Sequence, residues 1–150
     1  MKILIAVDDS PWSQAAVDYV KKASWPAGSE LIVLSVARPA MVAYSLVDAP
    51  GAGATFSQEL YEEQIKYHEE VAARYERQVH DLGFKTRAAV MAGDPREAIL
   101  TTAAQENAEL IVVGSHGRSG VSKLVMGSVA SHVVTHAPCN VLVVKLPKKA

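Results

Sequence analysis

Short apolar runs alternate with helix-patterned stretches along the whole chain, and that alternation leaves few architectures open. Ile3–Val7 is apolar without a break, as expected of a central strand covered on both faces. Leu31–Val36, Leu110–Val113 and Val141–Val144 are further strand-like runs. Between them lie stretches with apolar residues at helical spacing. Strands separated by helices pair in parallel, because each helix carries the chain back along the sheet. The reading is a single α/β domain over residues 1–150, Rossmann-like, with a five-stranded, mainly parallel sheet and helices on both faces.

Local signals place most boundaries. Ser10 offers an N-cap, Pro11 sits at the first helical position, and Ala16, Val20 and Ala23 share one face. Trp25-Pro26-Ala27-Gly28 is expected to end that helix. The longest helix is expected over Gln58–Leu82: Tyr61, Ile65, His68, Ala72, Tyr75, Val79 and Leu82 recur at alternating four- and three-residue steps, and Gly83 closes it. Phe84–Met91 alternates like a half-exposed strand near a sheet edge. Asp94-Pro95-Arg96-Glu97 is a capping box that opens a helix to about Asn107. Arg38–Ser57, rich in Ala, Pro and Gly, has no regular pattern, and connections of that length are often functional or mobile.

The run Leu110–Val113 leads into Gly114-Ser115-His116-Gly117, and nine residues later Gly127-Ser128 opens a helical stretch, Val129–His136. A strand feeding a glycine loop that feeds a helix suits a phosphate. Glycines allow close approach and positive φ, so that several N–H groups converge on one anion. The helix start adds unpaired N–H groups and the positive end of its dipole. Arg118, Ser119, Lys123 and Ser128 supply donors or charge nearby, and Gly120 in the spacer is read as a source of loop flexibility.

The spacing G-x2-G-x9-G-S resembles the ATP-binding signature of the universal stress protein family. Met1–Ser10 resembles that family's opening strand and acidic turn, Gly93-Asp94-Pro95 with Ala98-Ile99-Leu100 its third-helix entry, and Pro138–Val144 its closing strand. The resemblance implies strand order 3-2-1-4-5, which sets Asp8 opposite the glycine loop across one crevice, where parallel sheets bind ligands. It implies ATP as ligand, with Gly114 and Gly117 along the ribose and phosphates, Gly127 and Ser128 at the outer phosphates, Arg118 beside them, and the Val36 backbone at the adenine. Ala6 and Val7 would form the wall beneath the base. A carboxylate near a triphosphate repels it unless it binds a cation or a sugar hydroxyl. Asp8 is therefore assigned to the ribose or to Mg2+ held with the nucleotide. Asp9 is assigned to the cap or dipole of the first helix. The resemblance also implies a homodimer through Val141–Val144, an apolar strand at a sheet edge.

Other classes find less support. Lys and Arg number 15 against 16 Asp and Glu, so no net charge attracts nucleic acid or an anionic membrane. The single cysteine, Cys139, excludes an internal disulfide, has no basic neighbour to activate it, and suits a reducing compartment. Met1–Val7 has no secretory pattern, and no run is long enough to span a bilayer, so a cytoplasmic chain is expected. His132 and His136 could share a metal, but no further ligand is evident; His136 is read as a helix-terminal imidazole and His116 as a candidate phosphate donor. An ATP pyrophosphatase or nucleotidyltransferase would carry Ser-Gly-Gly after the first strand or a His-x-Gly-His motif, where this chain has Asp8-Asp9-Ser10-Pro11-Trp12. No catalytic dyad emerges. The expected function is an ATP-binding regulator or sensor in the stress response, with slow hydrolysis at most and a protein partner that reads its state. The alternative is a nucleotide-independent interaction protein of the same fold.

Overall fold

Five parallel strands, β1 (Lys2–Val7), β2 (Glu30–Ala37), β3 (Lys85–Ala92), β4 (Leu110–Gly114) and β5 (Asn140–Val144), lie in the order β3-β2-β1-β4-β5. The computed structural model describes residues 1–38, 53–118 and 125–147. Four helices connect the strands: α1 (Pro11–Lys22), α2 (Gly53–Val79), α3 (Pro95–Gln105) and α4 (Ser128–His136). The order reverses at β1, which pairs with β2 on one side and β4 on the other. A crevice therefore opens at the carboxyl ends of β1 and β4.

Side-chain alternation divides the core into two layers. Ile3, Ile5 and Val7 of β1 pack with Val17 and Val20 of α1 and Val71, Tyr75 and Val79 of α2. Leu4, with Leu34, Ile111 and Val113, packs on the other face against Ile99 and Ala103 of α3 and Ala130 and Val133 of α4. The unbroken apolar run of β1 is thus buried on both sides, each large side chain contributing about 1.5–3 kcal/mol.

Three boundaries differ from the sequence reading. Helix α1 stops at Lys22, ahead of Trp25-Pro26-Ala27-Gly28. Ala23 is extended, and its N–H donates to Tyr19 O. Pro26 disfavours a helical Trp25, whose indole N–H instead donates to Val20 O at 2.9 Å. Helix α2 begins at Gly53, inside the segment that carried no pattern; residues 39–52 of that segment lie outside the described residues. Its stripe is buried at His68, Ala72, Tyr75 and Val79, but Tyr61 is 44% and Leu82 37% exposed. At about 1.5 Å per residue the helix outruns a strand of eight residues, so both ends of the stripe overhang the sheet. Leu82 also falls in a short 3-10 turn, His80–Leu82, that Gly83 ends at φ 79°. Finally, Asp94 caps α3 through the Arg96 N–H at 2.9 Å, but Glu97 does not complete the box. Its carboxylate instead meets His132 Nε2 at 2.9 Å and ties α3 to α4.

At the beginnings of the strands, Lys2, Glu30 and Lys85 sit side by side in register on β1, β2 and β3. Glu30 pairs with Lys2 at 3.8 Å and with Lys85 at 3.5 Å, and Glu106 pairs with Lys2 and Arg87. These pairs are exposed and individually small, about 0–1 kcal/mol each. Among the described residues, no helix is long and apolar enough to cross a membrane.

Candidate functional site

The crevice at the carboxyl ends of β1, β2 and β4 is an open cleft of about 790 Å³, a usual size for a small-molecule site. Asp8, Val36, Gly114, Gly117, Arg118, Gly127 and Ser128 all line it. Ala6, Leu34, Val36 and Ile99 give it an apolar side, and Asp8, Ser13, Gln64 and His68 give it polar groups. Ser119, Gly120 and Lys123 lie outside the described residues.

The motif glycines serve close packing, not unusual backbone angles. Positive φ among the described glycines occurs at Gly28, Gly83 and Gly93, and at none of the motif positions. A Cβ on Gly114 would stand 2.7 Å from Trp12 Cβ, and one on Gly117 would stand 2.8 Å from Asp8 Oδ2. One on Gly127 would stand 3.2 Å from the backbone of both Ser115 and His116. The expectation of left-handed backbone is corrected accordingly: Gly114 packs against the first turn of α1, Gly117 against the Asp8 carboxylate, and Gly127 against the backbone of its own loop.

Asp8 binds the loop to the helix start. Its Oδ1 accepts from Ser13 Oγ at 2.7 Å and its Oδ2 from the Arg118 backbone N–H at 3.0 Å, while its own N–H donates to Ser13 Oγ at 2.8 Å. Asp9, expected to serve α1, turns to α2 instead. It accepts from Arg74 at 2.7 Å and from the Tyr67 hydroxyl at 3.2 Å, and the Arg74 guanidinium holds its carboxyl below the usual carboxylate range. The cap falls to Ser10, whose hydroxyl accepts from the Ser13 N–H. The Arg118 guanidinium stands 5.7 Å from the Tyr67 ring centroid, a cation–π contact that keeps this charge at the cleft.

His116 does not present a ring nitrogen to the cleft as a spare donor. Its Nε2 is 2.6 Å from Val125 O, its Nδ1 is 3.1 Å from Ser115 Oγ, and its ring lies 5.3 Å from that of Trp12. It joins the two sides of the glycine loop. The Gly127 N–H donates to Ser115 O at 2.8 Å and completes the join.

Helix α4 then begins without a side-chain cap, its N-cap being Gly127. The first-turn N–H groups have no intrahelical partner, and Ser128, Val129 and Ala130 line the cleft. The arrangement offers an anion aligned N–H donors and a positive dipole end. Among the described residues each Asp8 oxygen accepts one hydrogen bond, which leaves it able to accept a sugar hydroxyl or a water on a cation. A lone carboxylate fits a Mg2+ carried mainly by phosphates rather than one held in a protein cage.

His132 and His136 stack at 4.3 Å between centroids, with His136 Nδ1 3.0 Å from His132 O. Among the described residues, no group of three or more His, Cys, Asp or Glu could hold a metal. Cys139 is half-buried, and burial pushes its thiol pKa up, as an unactivated thiol requires.

The sequence reading did not assign Ser13, Gln64 or His68 to the cleft. The available signal was a histidine within an apolar helical stripe, with Gln64 one turn before it.

The sequence profile of the universal stress protein family matches residues 1–145. Universal stress protein MJ0577 of Methanocaldococcus jannaschii is 31% identical over 153 residues, covering 96% of this chain and 94% of its own. The solved structure of MJ0577 superposes with a TM-score of 0.84 at 26% identity, covering 99% of this chain and 97% of that one. More distant structures share the fold. A universal stress protein family protein from Arabidopsis thaliana with AMP bound has a TM-score of 0.67 at 16% identity, covering 99% of this chain and 93% of its own. A universal stress protein in complex with cAMP has a TM-score of 0.65 at 20% identity, covering 97% and 96%. Profile, nearly full-length relatives, glycine spacing and strand order agree, and the chain belongs to the universal stress protein family.

Proposed function

We propose that the cleft binds an adenine nucleotide, ATP with Mg2+, and that the protein is a nucleotide-dependent regulator or sensor of the stress response in the cytoplasm. The observation that carries this reading is the hydrogen bond of Asp8 to the Arg118 N–H beside the uncapped start of α4, within one cleft. The base would lie on Ala6 and Val36, with the Val36 backbone at its edge and the sugar by Asp8; Val7, expected beneath the base with Ala6, is buried in the opposite core layer. The phosphates would follow Gly114 and Gly117 to Gly127 and Ser128, with Arg118 nearby. AMP and cAMP in two proteins of the same fold support adenine nucleotides as the ligand class. No residue is assigned a catalytic role, and turnover is expected to be slow.

The same reading includes a homodimer. Strand β5 lies at the sheet edge, and Val141, Leu142 and Val143 are only partly buried. An apolar edge with unpaired backbone groups calls for a partner strand, and a second copy supplies one.

The test is calorimetry of nucleotide-stripped protein with ATP, ADP and AMP, with and without Mg2+, alongside Gly117→Val. The reading expects ATP binding that Gly117→Val abolishes, because the new side chain would displace Asp8 and fill the phosphate path. Absence of binding by folded wild-type protein would overturn it in favour of a nucleotide-independent interaction protein.

A further inference from the structure

Helix α2 brings Gln64 and His68, one turn apart, to the lining of the cleft. His68 is only 6% exposed, and its Nδ1 lies 2.7 Å from the Oγ of fully buried Ser35. Ser35 is on β2 between Leu34 and Val36, and those two face the α3 side of the sheet, opposite to Ser35. A base lying on Ala6 and Val36 therefore leaves His68 on the opposite face of the sheet, the face of α1, whose Ser13 holds the Asp8 carboxylate assigned to the sugar. Burial is the largest influence on the ring and favours its neutral form, with Arg118 acting in the same direction and Asp8 against it. Asp8 and Arg118, two of the charged residues lining the cleft, thus both act on the ring. Among the described residues Nε2 has no hydrogen-bond partner, while Ser35 fixes the ring through Nδ1. A neutral imidazole nitrogen held in one place suits a hydroxyl and adds no charge for a phosphate.

We propose that His68 is a ligand-contacting residue whose Nε2 hydrogen-bonds a ribose hydroxyl of the bound nucleotide, with Ser35 as the positioning residue that holds the ring. The proposal rests on the adenine-nucleotide reading above and adds a specificity to it: the cleft selects ribonucleotides over analogues that lack the sugar hydroxyls. A site built to pair with a hydroxyl rejects the analogue without it, because the buried polar group is then left unpaired.

The experiment titrates wild type, His68→Asn and His68→Gln with ATP and with 2′,3′-dideoxy-ATP. The asparagine amide can replace Nδ1 beside Ser35 but has nothing at the position of Nε2, which the longer glutamine can reach. Wild type should prefer ATP. His68→Asn should bind ATP about tenfold more weakly, the effect of one net hydrogen bond, and bind the dideoxy analogue unchanged, with partial recovery in His68→Gln. A folded His68→Asn that keeps the wild-type preference overturns the proposal and leaves nucleotide binding standing; a wild type that binds neither nucleotide overturns both. If His68→Asn does not fold, the imidazole nitrogen resonances of wild type decide. The His68 Nε2 signal should move with ATP and stay with the dideoxy analogue, and equal responses overturn the proposal.

Discussion

The Asp8 carboxylate accepts a hydrogen bond from the backbone N–H of Arg118 at 3.0 Å, joining residues 110 apart in sequence. With its other oxygen on Ser13 Oγ, one side chain connects the end of β1, the start of α1 and the glycine loop. Asp8→Ala removes both acceptors. It should lower stability by about 1–3 kcal/mol, raise the hydrogen-exchange rate of the Arg118 amide and weaken ATP binding. Unchanged exchange at Arg118 would refute the tether.

Gly114 packs against the first turn of α1, where a Cβ would stand 2.7 Å from Trp12 Cβ and 3.1 Å from the Trp12 carbonyl carbon. Gly114→Ala should therefore cost about 1–3 kcal/mol in urea denaturation, as overpacking does. Gly127→Ala should cost less, its closest contacts being 3.2 Å. The reverse order would show that α1 shifts freely.

Asp94 caps α3, and the Arg96 guanidinium beside it lowers its carboxyl pKa from 3.8 to about 2. The folded state favours the ionised form, so this stabilisation is complete above the unfolded pKa and is lost as the pH falls from about 4 through 2. The pair is largely exposed and screened, so the cap dominates: Asp94→Ala should cost about 1 kcal/mol at neutral pH. That difference from wild type should shrink on acidification. A difference constant down to pH 2 would contradict the assignment.

Val143 lies on β5, the edge strand, and is partly buried. If β5 pairs with its copy, Val143→Asp should convert a dimer to monomer or aggregate, read by light scattering on a sizing column. A soluble Val143→Asp dimer would exclude this edge.

The sequence made the fold legible because each strand is a local apolar run and the motif spacing joins the loop to its flanking elements. Asp8 and Gly114 could be expected to face each other once β1 and β4 were neighbours, which the resemblance supplied. The missed features depend on distant partners. Asp9 pairs with Arg74, and Glu97 with His132, because tertiary neighbours outcompete local helix ends for the carboxylates. His68 fitted the periodicity of a core stripe; only the finite length of the sheet turns that stripe from packing into a cleft wall.

The row Lys2–Glu30–Lys85 acts as an alignment mark. Sliding β2 by one residue would set Lys2 opposite Ser29 or Leu31, breaking the alternation of charge and moving every side chain of that strand to the opposite core layer. The mark stands at the far end of the strands from the cleft. Segments around the cleft can therefore be lengthened, shortened or exchanged while the strands are indexed from behind, and one sheet can accommodate descendants with different ligands.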